Sequence, residues 1–111
     1  MATQIQYAGW TLEHGQSVSS DEARLVMQTD GNLVVYDELS QPRWGSDTVG
    51  HGWRATLQDD GNFVVYTRSN QAVWGSGTEG NPGSTLWIQD DGNVVVYNHL
   101  GFPLWGTGTE H

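Results

Sequence analysis

One nonapeptide occurs three times: QTDGNLVVY at 28–36, QDDGNFVVY at 58–66 and QDDGNVVVY at 89–97. Each terminal Tyr is followed eight residues later by Trp-Gly: Trp44-Gly45, Trp74-Gly75 and Trp105-Gly106. A Ser or Thr comes next, in "WGSDT", "WGSGT" and "WGTGT". An apolar pair precedes each copy: Leu25/Met27, Ala55/Leu57 and Leu86/Ile88. A fixed period of about thirty residues marks one supersecondary unit, and such units bury their faces against one another. Any fold for this chain therefore has three equivalent parts.

Each unit reads as short strands. In 23–29, Leu25 and Met27 fall on one face and Val26 and Gln28 on the other. Asp30-Gly31-Asn32 is a hairpin turn, Leu33–Tyr36 is a β-branched strand, and "RWGSDT" is a third strand or its start. "IQYAGWTLEHGQSV" is expected to supply strands that the first repeat lacks. Fifteen Gly and few good helix formers exclude a helical bundle. With 111 residues, the expectation is one all-β domain over 1–111, three sheets enclosing a central space. Trp44, Trp74 and Trp105 are predicted to fill that space, because exposing Trp three times is costly.

The chain has no Lys and four Arg against thirteen acids, a net charge of −9. Such a surface repels nucleic acid and anionic membranes. No Cys is present, so disulfides and thiolate chemistry are excluded. "MATQIQYAGW" has no basic segment followed by an apolar one, and no apolar run reaches the ~20 residues of a membrane helix. No signal peptide is therefore expected, which leaves a cytoplasmic chain, one released without a leader, or a mature secreted form.

The pattern common to the three copies is Gln-x-Asp-Gly-Asn-x-Val-Val-Tyr. In extended chain its first, third, fifth, seventh and ninth residues share one face. The opposite face takes Met27, Leu33 and Val35 toward the core. Two amides, a carboxylate, an apolar Val and a phenol contain no nucleophile with its base and no redox group, so an enzyme is not expected. They suit a sugar, whose vicinal hydroxyls both donate and accept, with Val against the C–H face of the ring. Hairpin chemistry alone also explains Asp-Gly-Asn and Val-Val-Tyr; it explains the repeated Gln and Tyr poorly. From the residues alone, a structural turn and a ligand site both stand.

The pattern Q-x-D-x-N-x-V-x-Y, matched at all five positions in all three copies, resembles the signature of the bulb-type (monocot) mannose-binding lectins. The similarity runs from "QIQYAGWTL" to "WGTGT". It implies a β-prism II fold, three four-stranded antiparallel sheets with pseudo-threefold symmetry, and mannose binding without metal or cofactor. It also implies that Asp and Asn engage the axial 2-hydroxyl, Gln the 3-hydroxyl and Tyr the 4-hydroxyl, with Val packing on the ring. Carried over, the sites are Gln28, Asp30, Asn32, Val34 and Tyr36; Gln58, Asp60, Asn62, Val64 and Tyr66; and Gln89, Asp91, Asn93, Val95 and Tyr97. The resemblance further implies a homodimer formed by exchange of the C-terminal strand "LWGTGTE", with Trp105 in the partner's core, and multivalent recognition of mannose-rich glycans. Plant members commonly have Cys between the Asp and Asn of one motif; Gly31, Gly61 and Gly92 stand there instead, which points to a non-plant member.

Other motifs carry less. Gly75-x-Gly77-x-x-Gly80 fits a dinucleotide fingerprint, but no helix opens after it. Asp59-Asp60-Gly61-Asn62 lacks the helices and the distal Glu of a calcium loop. His14, His51, His99 and His111 show no metal spacing. Trp87 falls on the Gln89 face, either extending the third site or packing on the surface; Trp53 falls on the core side by parity; Trp10 has no assigned place. The functions weighed against a lectin are a structural or protein-interaction module and a lectin-like bacteriocin or toxin domain.

Overall fold

The computed structural model describes residues 2–111. The N-terminal segment forms three short strands, β1 (Gln4–Gln6), β2 (Thr11–Leu12) and β3 (Ser17–Ser19). The first repeat forms β4 (Arg24–Met27), β5 (Leu33–Tyr36) and β6 (Pro42–Gly45). The second forms β7 (Arg54–Leu57), β8 (Phe63–Tyr66) and β9 (Ala72–Gly75). The third forms β10 (Thr85–Ile88), β11 (Val94–Tyr97) and β12 (Pro103–Gly106). There is no helix among the described residues.

These strands make three four-stranded sheets, ordered β3-β4-β5-β6, β2-β7-β8-β9 and β1-β10-β11-β12, with every pairing antiparallel. The N-terminal segment corrects the sequence reading. It does not complete the first repeat alone, but gives one strand to each sheet, β1 to β10, β2 to β7 and β3 to β4. Each repeat thus makes its own three strands and borrows a fourth, and one stretch of chain ties all three together.

Alternation sets the two faces of each sheet. Leu25, Met27, Leu33 and Val35 of the first repeat are buried, as are Ala55, Leu57, Phe63 and Val65 of the second and Leu86, Ile88, Val94 and Val96 of the third. The second repeat trades volume, with Ala55 where the others have Leu and Phe63 where they have Leu33 and Val94. Trp10 packs against this core, its ring stacked on Phe63 at 6.4 Å.

Trp44, Trp74 and Trp105 meet as expected. Their ring centroids lie 5.2, 5.5 and 5.3 Å apart, all edge-to-face. Each such contact adds about 0.5–1.5 kcal/mol beyond area burial. The rings are half-buried and cap the aliphatic core. Trp53 departs from the parity reading. It precedes the first residue of β7, where alternation no longer applies, and it stacks on His14 at 3.9 Å with the Arg68 guanidinium 4.9 Å from its ring.

Candidate functional site

In each repeat the motif spans a hairpin, from the end of β4, β7 or β10 to the end of β5, β8 or β11. The Gly31 N–H donates to the Gln28 carbonyl (3.0 Å), and the Gln28 N–H to the Asn32 carbonyl (2.9 Å). The Asn32 N–H donates to Asp30 Oδ1 at 2.9 Å, as do Asn62 to Asp60 and Asn93 to Asp91. This local bond orients each Asp side chain over its own turn. Gly31 has φ 96°, and a Cβ there would lie 2.9 Å from the Gly50 nitrogen, so both conformation and space demand glycine.

The Asn of each motif is held from across the chain. Asn32 Oδ1 accepts from Ser46 Oγ and the Thr48 N–H, both at 3.2 Å. Asn62 Oδ1 accepts from Ser76 Oγ (3.1 Å), the Gly77 N–H (3.0 Å) and the Thr78 N–H (3.3 Å). Asn93 Oδ1 accepts from Thr107 Oγ1 (3.1 Å), the Gly108 N–H (3.1 Å) and the Thr109 N–H (3.3 Å). With the oxygen so occupied, the amide nitrogen is the group left to face outward. The second Thr locks the turn itself: Thr48, Thr78 and Thr109 hydroxyls donate to the Gly31, Gly61 and Gly92 carbonyls at 2.7, 2.6 and 2.6 Å. The Trp-Gly-Ser/Thr-x-Thr segment therefore supports the motif, a role the sequence reading did not assign. Its signal was there, as the same residues recur at a fixed distance from every motif.

Around this Asn lie the other motif residues. Val34, Val64 and Val95 form the floor of the outer face, only 6, 4 and 5% exposed. Opposite them in the ladder stand Gly45, Gly75 and Gly106. A Cβ at Gly45 or Gly75 would lie 3.0 or 3.2 Å from the neighbouring Asn Nδ2, so glycine keeps the floor accessible. The Gln28 amide oxygen accepts from the Tyr36 hydroxyl while its nitrogen donates to both Asp30 carboxylate oxygens, at 3.1 and 3.2 Å. Gln58 Nε2 donates to the Tyr66 hydroxyl, and Gln89 Nε2 to the Tyr97 hydroxyl at 2.5 Å. All fifteen motif residues are thus brought together as three sets of five, one per sheet.

The three sets are not identical. Arg24 lies opposite Tyr36 and Arg54 opposite Tyr66, with guanidinium carbons 5.0 and 5.6 Å from the ring centroids. Thr85 takes this place opposite Tyr97. In the third set Asn93 Nδ2 donates to Glu110 Oε2 at 2.8 Å, so a C-terminal carboxylate sits on the outward group of the motif.

Outside the motifs, backbone N–H groups of Gln41 and Leu39 and the Arg43 guanidinium bond Asp37 and hold its carboxyl below the usual range. His111 Nε2 lies 2.7 Å from Glu38 and 3.9 Å from Glu22. The Glu38 bond raises the pKa of His111 and lowers that of Glu38. Ligand atoms of Glu22, Glu38 and His111 lie within 4.8 Å of one another, and they are the set among the described residues that could hold a cation. The spacing of the histidines gave no hint of it, because the two glutamates come from the opposite end of the chain.

Comparison with known proteins agrees with this architecture. No family model matches the chain, and no curated protein sequence does. Among solved structures, a monomeric monocot mannose-binding lectin from Gastrodia elata shares 32% identity over 100% of both chains, with a TM-score of 0.87. The mannose-specific agglutinin from snowdrop (Galanthus nivalis) bulbs, complexed with methyl-α-D-mannoside, shares 38% over 96% of this chain and 97% of that one, TM-score 0.77. A Marasmius oreades lectin shares 27% over 98% and 92%, TM-score 0.88. Fold and repeated motif together define a β-prism II lectin. The chain belongs to the monocot (bulb-type) mannose-binding lectin family.

Proposed function

We propose that residues 1–111 form one lectin domain that binds mannose at three side-chain sites, without metal and without turnover. The observation that carries this reading is the Asn anchored through its oxygen in all three repeats. Each such amide offers a donor beside an Asp carboxylate acceptor, above an apolar Val. An axial 2-hydroxyl donates to the Asp and accepts from the Asn; the Gln and Tyr pair takes the 3- and 4-hydroxyls. Glucose, whose 2-hydroxyl is equatorial, leaves these groups badly paired, at about 1–3 kcal/mol per unsatisfied group. So shallow a site binds a monosaccharide near millimolar, about −4 kcal/mol. Three sites on three sheets bridge a mannose-rich surface, where linkage raises apparent affinity by roughly 10²–10⁴. Titration calorimetry with methyl α-mannoside and methyl α-glucoside, with and without EDTA, tests the reading. Mannoside binding that survives EDTA supports it; equal affinity for both sugars, or loss of binding on chelation, counts against it.

Assembly has two readings. Exchange of the C-terminal strand would move β12 onto a partner's β11 and Trp105 into the partner's Trp cluster. The similarity to a lectin described as monomeric favours a monomer. Sedimentation of the full chain and of a chain lacking 103–111 separates them: exchange gives a dimer that the truncation abolishes.

A further inference from the structure

We propose that the third site continues into a second sugar subsite, an aromatic hollow that the other two sites lack. This rests on the lectin reading above and adds a substrate class to it: an oligosaccharide whose first ring sits in the third motif and whose second ring sits on Trp87.

The difference begins with one position in the ladder. In the first two sheets the residue paired with the motif Tyr is Arg24 or Arg54, whose guanidinium lies over the phenol ring. In the first sheet the hollow at this place is smaller, about 190 Å³, and is lined by Arg24, Asp37 and Glu38, so it is charged and not aromatic. In the third sheet the partner of Tyr97 is Thr85, too short to cover it. One residue pair further along the same outer face stand Val26 opposite Val34 and Thr56 opposite Val64, but Trp87 opposite Val95. Trp87 meets Tyr97 edge-to-face at 5.2 Å, and its Nε1–H donates to Thr85 Oγ1 at 2.9 Å. The small Thr therefore does two things: it uncovers Tyr97 and it fixes the indole.

The result is a hollow of about 390 Å³, bounded by Thr85, Trp87, Tyr97, Asn98 and His99. Its size is within the range of small-molecule sites. Tyr97 belongs both to this hollow and to the neighbouring one lined by Gln89, Asp91, Asn93 and Val95, so the two are continuous across a single ring. No carboxylate or guanidinium lines the hollow, which gives no preference for a charged ligand. Aromatic faces with an amide, a hydroxyl and an imidazole at the rim match a neutral pyranose, which has apolar C–H faces and a polar circumference. Continuity with the third motif makes that pyranose the next ring of the same glycan.

Single-site proteins test this. One variant keeps only the third motif (Asn32→Ala with Asn62→Ala), another only the first (Asn62→Ala with Asn93→Ala). Each is titrated with methyl α-mannoside and with mannobioses of each α-linkage. The third site should bind at least one mannobiose about tenfold more tightly than the monosaccharide, while the first shows no gain beyond the statistical twofold. Trp87→Val, the residue the first sheet carries at this place, should reduce the third site's ratio to that of the first. Transplanting the hollow, by Arg24→Thr with Val26→Trp, should give the first site the same gain. A ratio unaffected by Trp87→Val, or equal ratios at the two sites, would overturn the proposal while leaving the lectin reading intact. Absence of methyl α-mannoside binding at every site would instead overturn the lectin reading, and this inference with it.

Discussion

Replacing Thr78 by Val tests whether the Trp-Gly-Ser/Thr-x-Thr segment supports the binding turn. Thr78 is 4% exposed, and its hydroxyl donates to the Gly61 carbonyl at 2.6 Å and meets Ser76 Oγ at 2.7 Å. Valine keeps the shape and removes the donor. Gly61 is buried, and Thr78 is the one donor to its carbonyl among the described residues. The substitution thus leaves a buried acceptor unsatisfied, at about 1–3 kcal/mol. The first repeat supplies an internal control. There the Gly31 carbonyl accepts from Thr48 and also from the Gly52 N–H at 3.1 Å. Thr48→Val removes one of two bonds, and should cost only the net worth of a hydrogen bond, about 0.5–1.5 kcal/mol. Urea unfolding of the two variants, compared at unchanged m-value, gives the difference directly. Thr78→Val should be the more destabilising. If Thr48→Val costs as much or more, the reasoning from carbonyl satisfaction is wrong.

Asp47 and Ser40 adopt φ of 61° where other repeats place Gly77, Gly108 or Gly101. Asp47→Gly should therefore stabilise the chain by about 1 kcal/mol, read as a rise in thermal midpoint, because the left-handed conformation strains a residue with a Cβ. Glu110→Ala should free Asn93 Nδ2 and tighten the third site for methyl α-mannoside by roughly fivefold, the equivalent of one net hydrogen bond of about 1 kcal/mol; calorimetry on the third-site-only protein measures it. The folded pKa of His111 lies above its unfolded value of about 6.5. Its contribution is fully present below that value and is lost as pH rises through the folded pKa. Asp37 and Glu38 are depressed, so theirs is present above the ordinary carboxylate range and is lost as pH falls through their folded values. His111→Gln should flatten the neutral-to-alkaline limb of stability against pH, measured by thermal unfolding; an unchanged limb would contradict the pairing.

What was legible in the sequence was whatever the repeat wrote three times. Alternation around Leu25 and Met27, the Asp-Gly-Asn turn and the spacing to Trp44, Trp74 and Trp105 led to the three sheets and their aromatic cap. The motif itself outlined the candidate site. Strands of two or three residues, such as Thr11–Leu12, are too short to carry a period, so their distribution over three sheets was hidden. Trp53 was misplaced because parity was extended beyond a strand end. The bonds of Ser46 and Thr48 to Asn32 cross fourteen and sixteen residues of chain and depend on how β6 returns beside β5. Glu110 on Asn93 and His111 beside Glu38 are single contacts of an irregular tail, with no pattern to announce them.

The central claim is that the three motifs are three independent sugar sites. Calorimetric titration of the intact chain and of Asn62→Ala with methyl α-mannoside addresses it most directly. The account expects the number of sites to fall from three to two, with the remaining affinity unchanged and the variant still folded, though less stable because Ser76 Oγ and the Gly77 and Thr78 N–H groups lose their acceptor. A substitution that abolished all binding in a folded protein, or left the stoichiometry where it was, would contradict it.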